Sequence, residues 1–105
     1  MIRREKRRYL ALKILGDDSL DESDVISAVW DSILQLFGEY GASQTSLSLI
    51  KYDLKKNYGV LRCSLKSINI VRTALASVTV INEKPTIMHV LAVSGTLKAL
   101  LKKTF

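Results

Sequence analysis

One cysteine, one histidine, one proline and one tryptophan occur in 105 residues. A lone cysteine, Cys63, cannot close a disulfide within the chain or build a cysteine-only metal cage. Together with the lone histidine, His89, it falls short of a Cys/His zinc set. No uncharged run approaches the ~20 residues of a membrane span. A signal peptide is excluded because Lys13, Asp17 and Asp18 interrupt the apolar stretch that follows the positive start. The acids gather mostly in DDSLDESD and the helix after it, where they suit a turn and a helix start, so no carboxylate cluster of a metal-dependent nuclease is expected. These absences point to a soluble, cytoplasmic protein with no membrane association. No catalytic residue, metal ligand or bound cofactor is expected in the chain.

What the sequence does contain is basic charge at its ends. Nearly half of the residues are hydrophobic, enough for a packed core, and the net charge is +6. Five bases and one acid fall in residues 1–8, Arg3, Arg4, Lys6, Arg7 and Arg8 against Glu5. Lys98, Lys102 and Lys103 fall in the last eight residues, and the stretch between is close to neutral. Basic ends on a neutral body point to a localised contact with a polyanion. The length predicts a single domain, 1–105, with 1–7 as a flexible basic segment.

Hydrophobic periodicity orders the rest. Arg8 to Leu15 alternates as a strand, with Leu10, Leu12 and Ile14 on one face and Tyr9, Ala11, Lys13 and Leu15 on the other. Ser19-Leu20-Asp21-Glu22 has the spacing of a capping box, followed by a helical stripe of Val25, Val29, Ile33, Leu36, Phe37 and Tyr40. Gly41 is the expected helix stop. TSLSLIKYDL and GVLRCSLKS predict a hairpin, and Ser67 an N-cap for a second helix carrying Ile68, Val71, Leu75 and Val78. Asn82 to Pro85 predicts a turn, Thr86 to Val93 a last strand, and Ser94-Gly95-Thr96 the start of a short basic helix. The order β-α-β-β-α-β-α predicts an α+β fold, a ferredoxin-like, RRM-like βαββαβ sandwich. Its four-stranded antiparallel sheet would carry two helices on one face, with a C-terminal helix added.

Many RNA-binding domains of this shape stack bases on aromatic side chains of the open sheet face. Here the third-strand stretch Lys56 to Cys63 keeps only Tyr58 of those aromatics, so stacking is not the expected mode. The last strand is apolar on both sides, with Ile87, Leu91 and Val93 predicted on one face and Met88, Val90 and Ala92 on the other. Both faces should then be covered, by the C-terminal helix or by another chain. His89 is expected in a core or interface, and Cys63 as a buried small hydrophobe on the face of Leu61. Ser94-Gly95-Thr96 offers a strand-to-helix turn for phosphate, or simply an N-cap. A single basic patch from both ends requires the C-terminal helix to run back across the sheet.

RRYLALKI, the block GEYGASQTSLSLIKYDLKKNYGVLRC and the closing VLAVSGTLKALLKK resemble the Pop-five family of archaeal ribonuclease P proteins. The most specific matches are Gly38-Glu39, Tyr52-Asp53 with Gly59 and Arg62-Cys63, and Val93-Ser94-Gly95-Thr96 ahead of Lys98. The resemblance implies a ferredoxin-like, non-catalytic subunit that binds the catalytic domain of the ribonuclease P RNA. It implies a barrel-fold protein partner, component 3 of the same particle, and a homodimer within a heterotetramer. Precursor tRNA is met indirectly, as its 5′ leader is removed by the RNA with its own magnesium ions. RNA contacts are then expected from Arg3, Arg4, Lys6, Arg7, Arg8, Arg62, Ser94, Lys98, Lys102 and Lys103. Residues 1–7 are expected to become ordered on that RNA. A small-molecule-binding regulatory dimer of ferredoxin-like shape, or a general nucleic-acid-binding protein, are the alternatives.

Overall fold

The computed structural model describes residues 6–16, 20–53 and 56–104. Its elements are β1 (Arg7–Leu15), α1 (Glu22–Ser43), β2 (Ser48–Asp53), β3 (Tyr58–Ser64), α2 (Ile68–Ser77), β4 (Val80–Ile81), β5 (Lys84–Pro85), β6 (Ile87–Ser94) and α3 (Leu97–Thr104). The main sheet has the order β2-β3-β1-β6 with every neighbour antiparallel. That is the ferredoxin-like βαββαβ sandwich, with β6 as its fourth strand.

The alternation in β1 divides the protein into two cores. Leu10, Leu12 and Ile14 join Val25, Val29 and Ile33 of α1 and Val71 and Leu75 of α2, all nearly or fully buried. On the opposite face Ala11 packs with Tyr58, Val60 and Leu100, so α3 covers the middle of the sheet. Each fully buried Leu or Val contributes about 1.5–3 kcal/mol relative to exposure. The main sandwich and the α3 layer therefore lie on opposite faces of one sheet, whose four strands contribute side chains to both.

Several local expectations shift. The capping box lies at Asp21 and Asp24. Asp24 N–H donates to Asp21 Oδ1 at 3.0 Å, and Asp21 N–H donates to Asp24 Oδ2 at 3.2 Å. Buried Leu20 pins the chain just ahead of it, and Ser19 lies outside the described residues. Helix α1 does not stop at Gly41 but kinks at Gly38 (φ 73°, ψ −177°) and ends at Ser43. Leu36 and Phe37, just ahead of the kink, and Tyr40 beyond it do not join the buried stripe of Val25, Val29 and Ile33 and are exposed. Strand β3 ends at Ser64, and Leu65–Ser67 form a 3-10 turn. Ser67 precedes α2 without a capping hydrogen bond; its hydroxyl instead donates to Gln44 O at 2.8 Å, alongside that of Ser64 at 2.9 Å. These two bonds tie the end of α1 to the end of β3.

Asn82 to Pro85 is more than a turn. Val80 pairs with Pro85 and Ile81 with Lys84, across Asn82 and Glu83 at φ 52° and 67°. Positive φ at both central residues is the two-residue hairpin geometry that matches strand twist. In β6, Ala92 faces Ala11 and Val90 faces Leu12, which leaves Leu91 as a bulge. The extra residue inverts the alternation. Val93 therefore packs on the main core beside Met88 and Val90, while Ala92 joins the α3 side. Val93 and Ala92 thus exchange the faces expected of them. His89 is exposed, not buried, and Cys63 is fully buried beside Leu61 as expected.

Candidate nucleic-acid interface

Strand register sets the first part of the site. Tyr9 pairs with Arg62 on one side and with Ser94 on the other, and Arg62 pairs with Ser48. Directly opposed residues share a face, so Ser48, Arg62, Tyr9 and Ser94 form one row across the outer sheet face. The row lies at the end where β1 begins and β6 finishes. Arg62 is half-buried, and its Nε is buried with no hydrogen-bond partner among the described residues. An unpaired buried donor on a cation is costly, and an incoming anion relieves that cost.

The turn after β6 supplies the second part. Thr96 caps α3: its Oγ1 accepts from Ala99 N–H at 3.1 Å, and its carbonyl accepts from Leu100 N–H at 3.1 Å. Ser94 is thus the last strand residue rather than the cap, and only 9 % exposed. The Arg8 guanidinium lies over Gly95, where a Cβ would stand 3.3 Å from Arg8 Nη1. Arg8 Nη1 donates to Arg7 O at 3.0 Å, which holds the side chain along the strand end.

Helix α3 then folds back over β1 and β6, anchored by Leu100, with Leu97 partly buried beside it. Lys103 Nζ reaches Val93 O at 3.4 Å, so the far end of the helix returns to the same strand end. Lys98 and Lys102, one helical turn apart, remain exposed on α3. The return of the helix across the sheet, on which a single basic patch depended, is present. Arg8 and Lys103 meet at the β6–α3 turn beside Ser94, Arg62 lies in the same row as Ser94 with Tyr9 between them, and Lys98 and Lys102 are exposed on α3.

Arg3 and Arg4 lie outside the described residues. Lys6 and Arg7, expected in the flexible leading segment, are tied into the fold. Lys6 O accepts from Leu65 N–H at 2.8 Å, and Arg7 pairs with Ser64 in β1. Tyr9 and Ser48 are the residues of the row that charge-based reasoning passed over; the signal for Tyr9 was its place one alternation from the buried Leu10. Tyr58, the surviving aromatic of the third strand, is buried at 6 % exposure under α3 and offers no stacking platform.

Among the described residues no group of three or more His, Cys, Asp or Glu is placed to hold a metal ion. Burial pushes the Cys63 thiol up to about 11, the opposite of an activated nucleophile. No helix among the described residues is long and apolar enough to cross a membrane.

The family model of the Rpp14/Pop5 family matches residues 8–105. Ribonuclease P protein component 2 of Pyrococcus abyssi is 39% identical over 100 residues, covering 95% of this chain and 85% of that protein. The protein of the same name from Methanocaldococcus jannaschii is 37% identical over 95 residues, 90% of this chain and 69% of its own length. In structure, a chain of the cryo-EM structure of yeast ribonuclease MRP superposes with a TM-score of 0.73 at 13% identity, covering 98% of this chain and 91% of that one. The last likeness is one of fold; sequence and length together establish that this chain belongs to the Rpp14/Pop5 family.

Proposed function

We propose that this chain is a non-catalytic subunit of a ribonuclease P particle that binds the ribonuclease P RNA through the β6–α3 end of its sheet. In this reading Arg8, Arg62, Lys98, Lys102 and Lys103 contact phosphates, Ser94 donates or accepts a hydrogen bond, and Lys6, Arg7, Arg3 and Arg4 continue the positive track. Component 3 of the particle binds elsewhere on the chain, and two copies of each protein assemble together. The RNA, with its own magnesium ions, removes the 5′ leader of precursor tRNA, and the protein pair supports its folded form. The observation that carries the reading is the return of α3, which brings Lys103 to the strand end that Arg8 also occupies, in the same sheet end as the row holding Arg62 and its unpaired Nε.

Phosphate contacts give affinity and register, with counterion release setting the salt dependence. Binding of the cognate ribonuclease P RNA measured against salt tests this directly. Arg8→Ala, Arg62→Ala and Lys103→Ala should each weaken binding and lower the log–log salt slope by about one. Arg62→Lys keeps the charge but loses the fork, and restores the slope better than the affinity. Unchanged slopes in all three alanine variants would contradict the site, and equal affinity for duplex DNA would favour a general nucleic-acid-binding protein.

A further inference from the structure

The row of Ser48, Arg62, Tyr9 and Ser94 carries more than charge. The next row inward on that face, Ala11 with Val60, already lies under Leu100 of α3. Tyr9 is partly buried against the same cluster, which fixes its ring without enclosing it. Arg62 Nε is buried without a partner, and the side chains of Ser48, Tyr9 and Ser94 make no hydrogen bond among the described residues either. Polar groups held at a sheet surface with neither side-chain nor backbone partners remain available to a ligand. Neighbouring strands lie about 4.8 Å apart, so Arg62 and Ser94 flank Tyr9 at roughly that backbone spacing on its two sides.

The mixture of groups decides which part of an RNA fits. A paired helix offers phosphates and 2′-hydroxyls on a convex surface, and the exposed Lys98 and Lys102 suit those. An aromatic ring set level among strands, with a guanidinium on one side and a hydroxyl on the other, suits a nucleotide splayed out of the stack. The ring can take the π-face of a base, whatever the base is. A guanidinium one strand away can hold the phosphate of the same nucleotide through paired N–H donors. A serine hydroxyl on the far side can donate to or accept from a base edge or a 2′-hydroxyl. Tyr58 is buried under α3, so this face presents a single ring and room for a single base.

We propose that the row seats one unpaired nucleotide of the ribonuclease P RNA, its base stacked on Tyr9, its phosphate held by Arg62 and its base edge or 2′-hydroxyl bonded by Ser94. The inference rests on the reading of the β6–α3 end as the RNA-binding surface. It divides the work of that surface. Lys98, Lys102 and Lys103 give affinity for any phosphate backbone, and Tyr9 selects an unpaired nucleotide over a paired one.

The test measures binding of the full chain to the cognate ribonuclease P RNA against salt, with chemical probing of the bound RNA nucleotide by nucleotide. Tyr9→Leu should lower affinity by about tenfold and leave the log–log salt slope unchanged, because it removes stacking and no charge. Tyr9→Phe keeps the ring and should recover most of that affinity. Probing should show one unpaired nucleotide protected by the unaltered chain and by Tyr9→Phe, and open again with Tyr9→Leu. Hydrogen exchange of the α3 amides in Tyr9→Leu should match that of the unaltered chain, since leucine keeps an apolar side chain against the Leu100 cluster. Unaltered affinity in Tyr9→Leu, with Arg8→Ala still weakened, overturns the nucleotide seat and leaves the RNA surface intact. A lower salt slope or faster α3 exchange in Tyr9→Leu would trace the loss to displaced lysines and overturn the seat as well. Failure of the unaltered chain to bind the RNA overturns the surface and the seat together.

Discussion

Leu100→Ala removes the one fully buried side chain among the described side chains of α3. Replacing a buried leucine by alanine removes about 2–5 kcal/mol in a well-packed core. The eight residues of α3 are too few to hold a helix in water unaided, so the helix depends on its docking. Leu100 and the partly buried Leu97 supply most of that docking, at about 1.5–3 kcal/mol per fully buried side chain. Loss of Leu100 should therefore release α3 before it disturbs the main core, whose Leu10, Leu12 and Val29 face the other side of the sheet. A release of about 2 kcal/mol corresponds to ~30-fold faster exchange of the α3 amides. Native-state hydrogen exchange reads this directly, with the β1 and β3 amides as internal reference. The same substitution should lower affinity for the ribonuclease P RNA, because Lys98, Lys102 and Lys103 lose their fixed positions. Unchanged protection in α3, or equal loss in α3 and β1, would refute the separate layer.

Gly38→Ala forces a Cβ into a φ/ψ region that glycine alone occupies freely, and should destabilise the protein by about 1–3 kcal/mol in thermal or denaturant unfolding; an unchanged midpoint would show that the kink is not held. The Cys63 thiol, raised to about 11 by burial, should resist disulfide reagents at pH 8 until the protein unfolds, and rapid labelling of the native state would contradict the packing. Because its folded value exceeds the ordinary 9.0, the stability it contributes is complete below that value and is lost as pH rises toward about 11. Asp21 behaves oppositely. Hydrogen bonds from the Asp24 backbone and the Ser23 hydroxyl hold it below the ordinary 3.8, so its contribution is present above that value and is lost as pH falls through the lower one. Asp21→Ala should remove that part of the acid dependence of α1, followed by circular dichroism; an identical acid profile would argue against the cap.

Alternation and helical spacing made the main architecture legible. Leu10, Leu12 and Ile14 identified the buried face of β1, and Val25, Val29 and Ile33 the buried stripe of α1. The errors fall where a local backbone event breaks the period. Gly38 adopts a positive φ inside α1, and no spacing rule shows from one chain whether a glycine ends a helix or bends it. The Leu91 bulge similarly exchanges the faces of Ala92 and Val93, because one extra residue inverts a period of two. In the site, charge at the two ends was visible, but its convergence was not. Lys103 meets the strand end that Arg8 shares only because Leu100 turns α3 back over Ala11 and Val60. Arg62 was found by its place in a matched pair and its predicted strand face, and the register with Tyr9 and Ser94 supplies its neighbours.

The most direct test of the account is cleavage of precursor tRNA by the cognate ribonuclease P RNA at low magnesium, with this protein and component 3 added singly and together. The account predicts 5′-leader removal that depends on the pair and falls when Arg8 and Arg62 are replaced together by alanine. Absence of cleavage with both folded proteins present, under conditions where the RNA alone works at high magnesium, would contradict it.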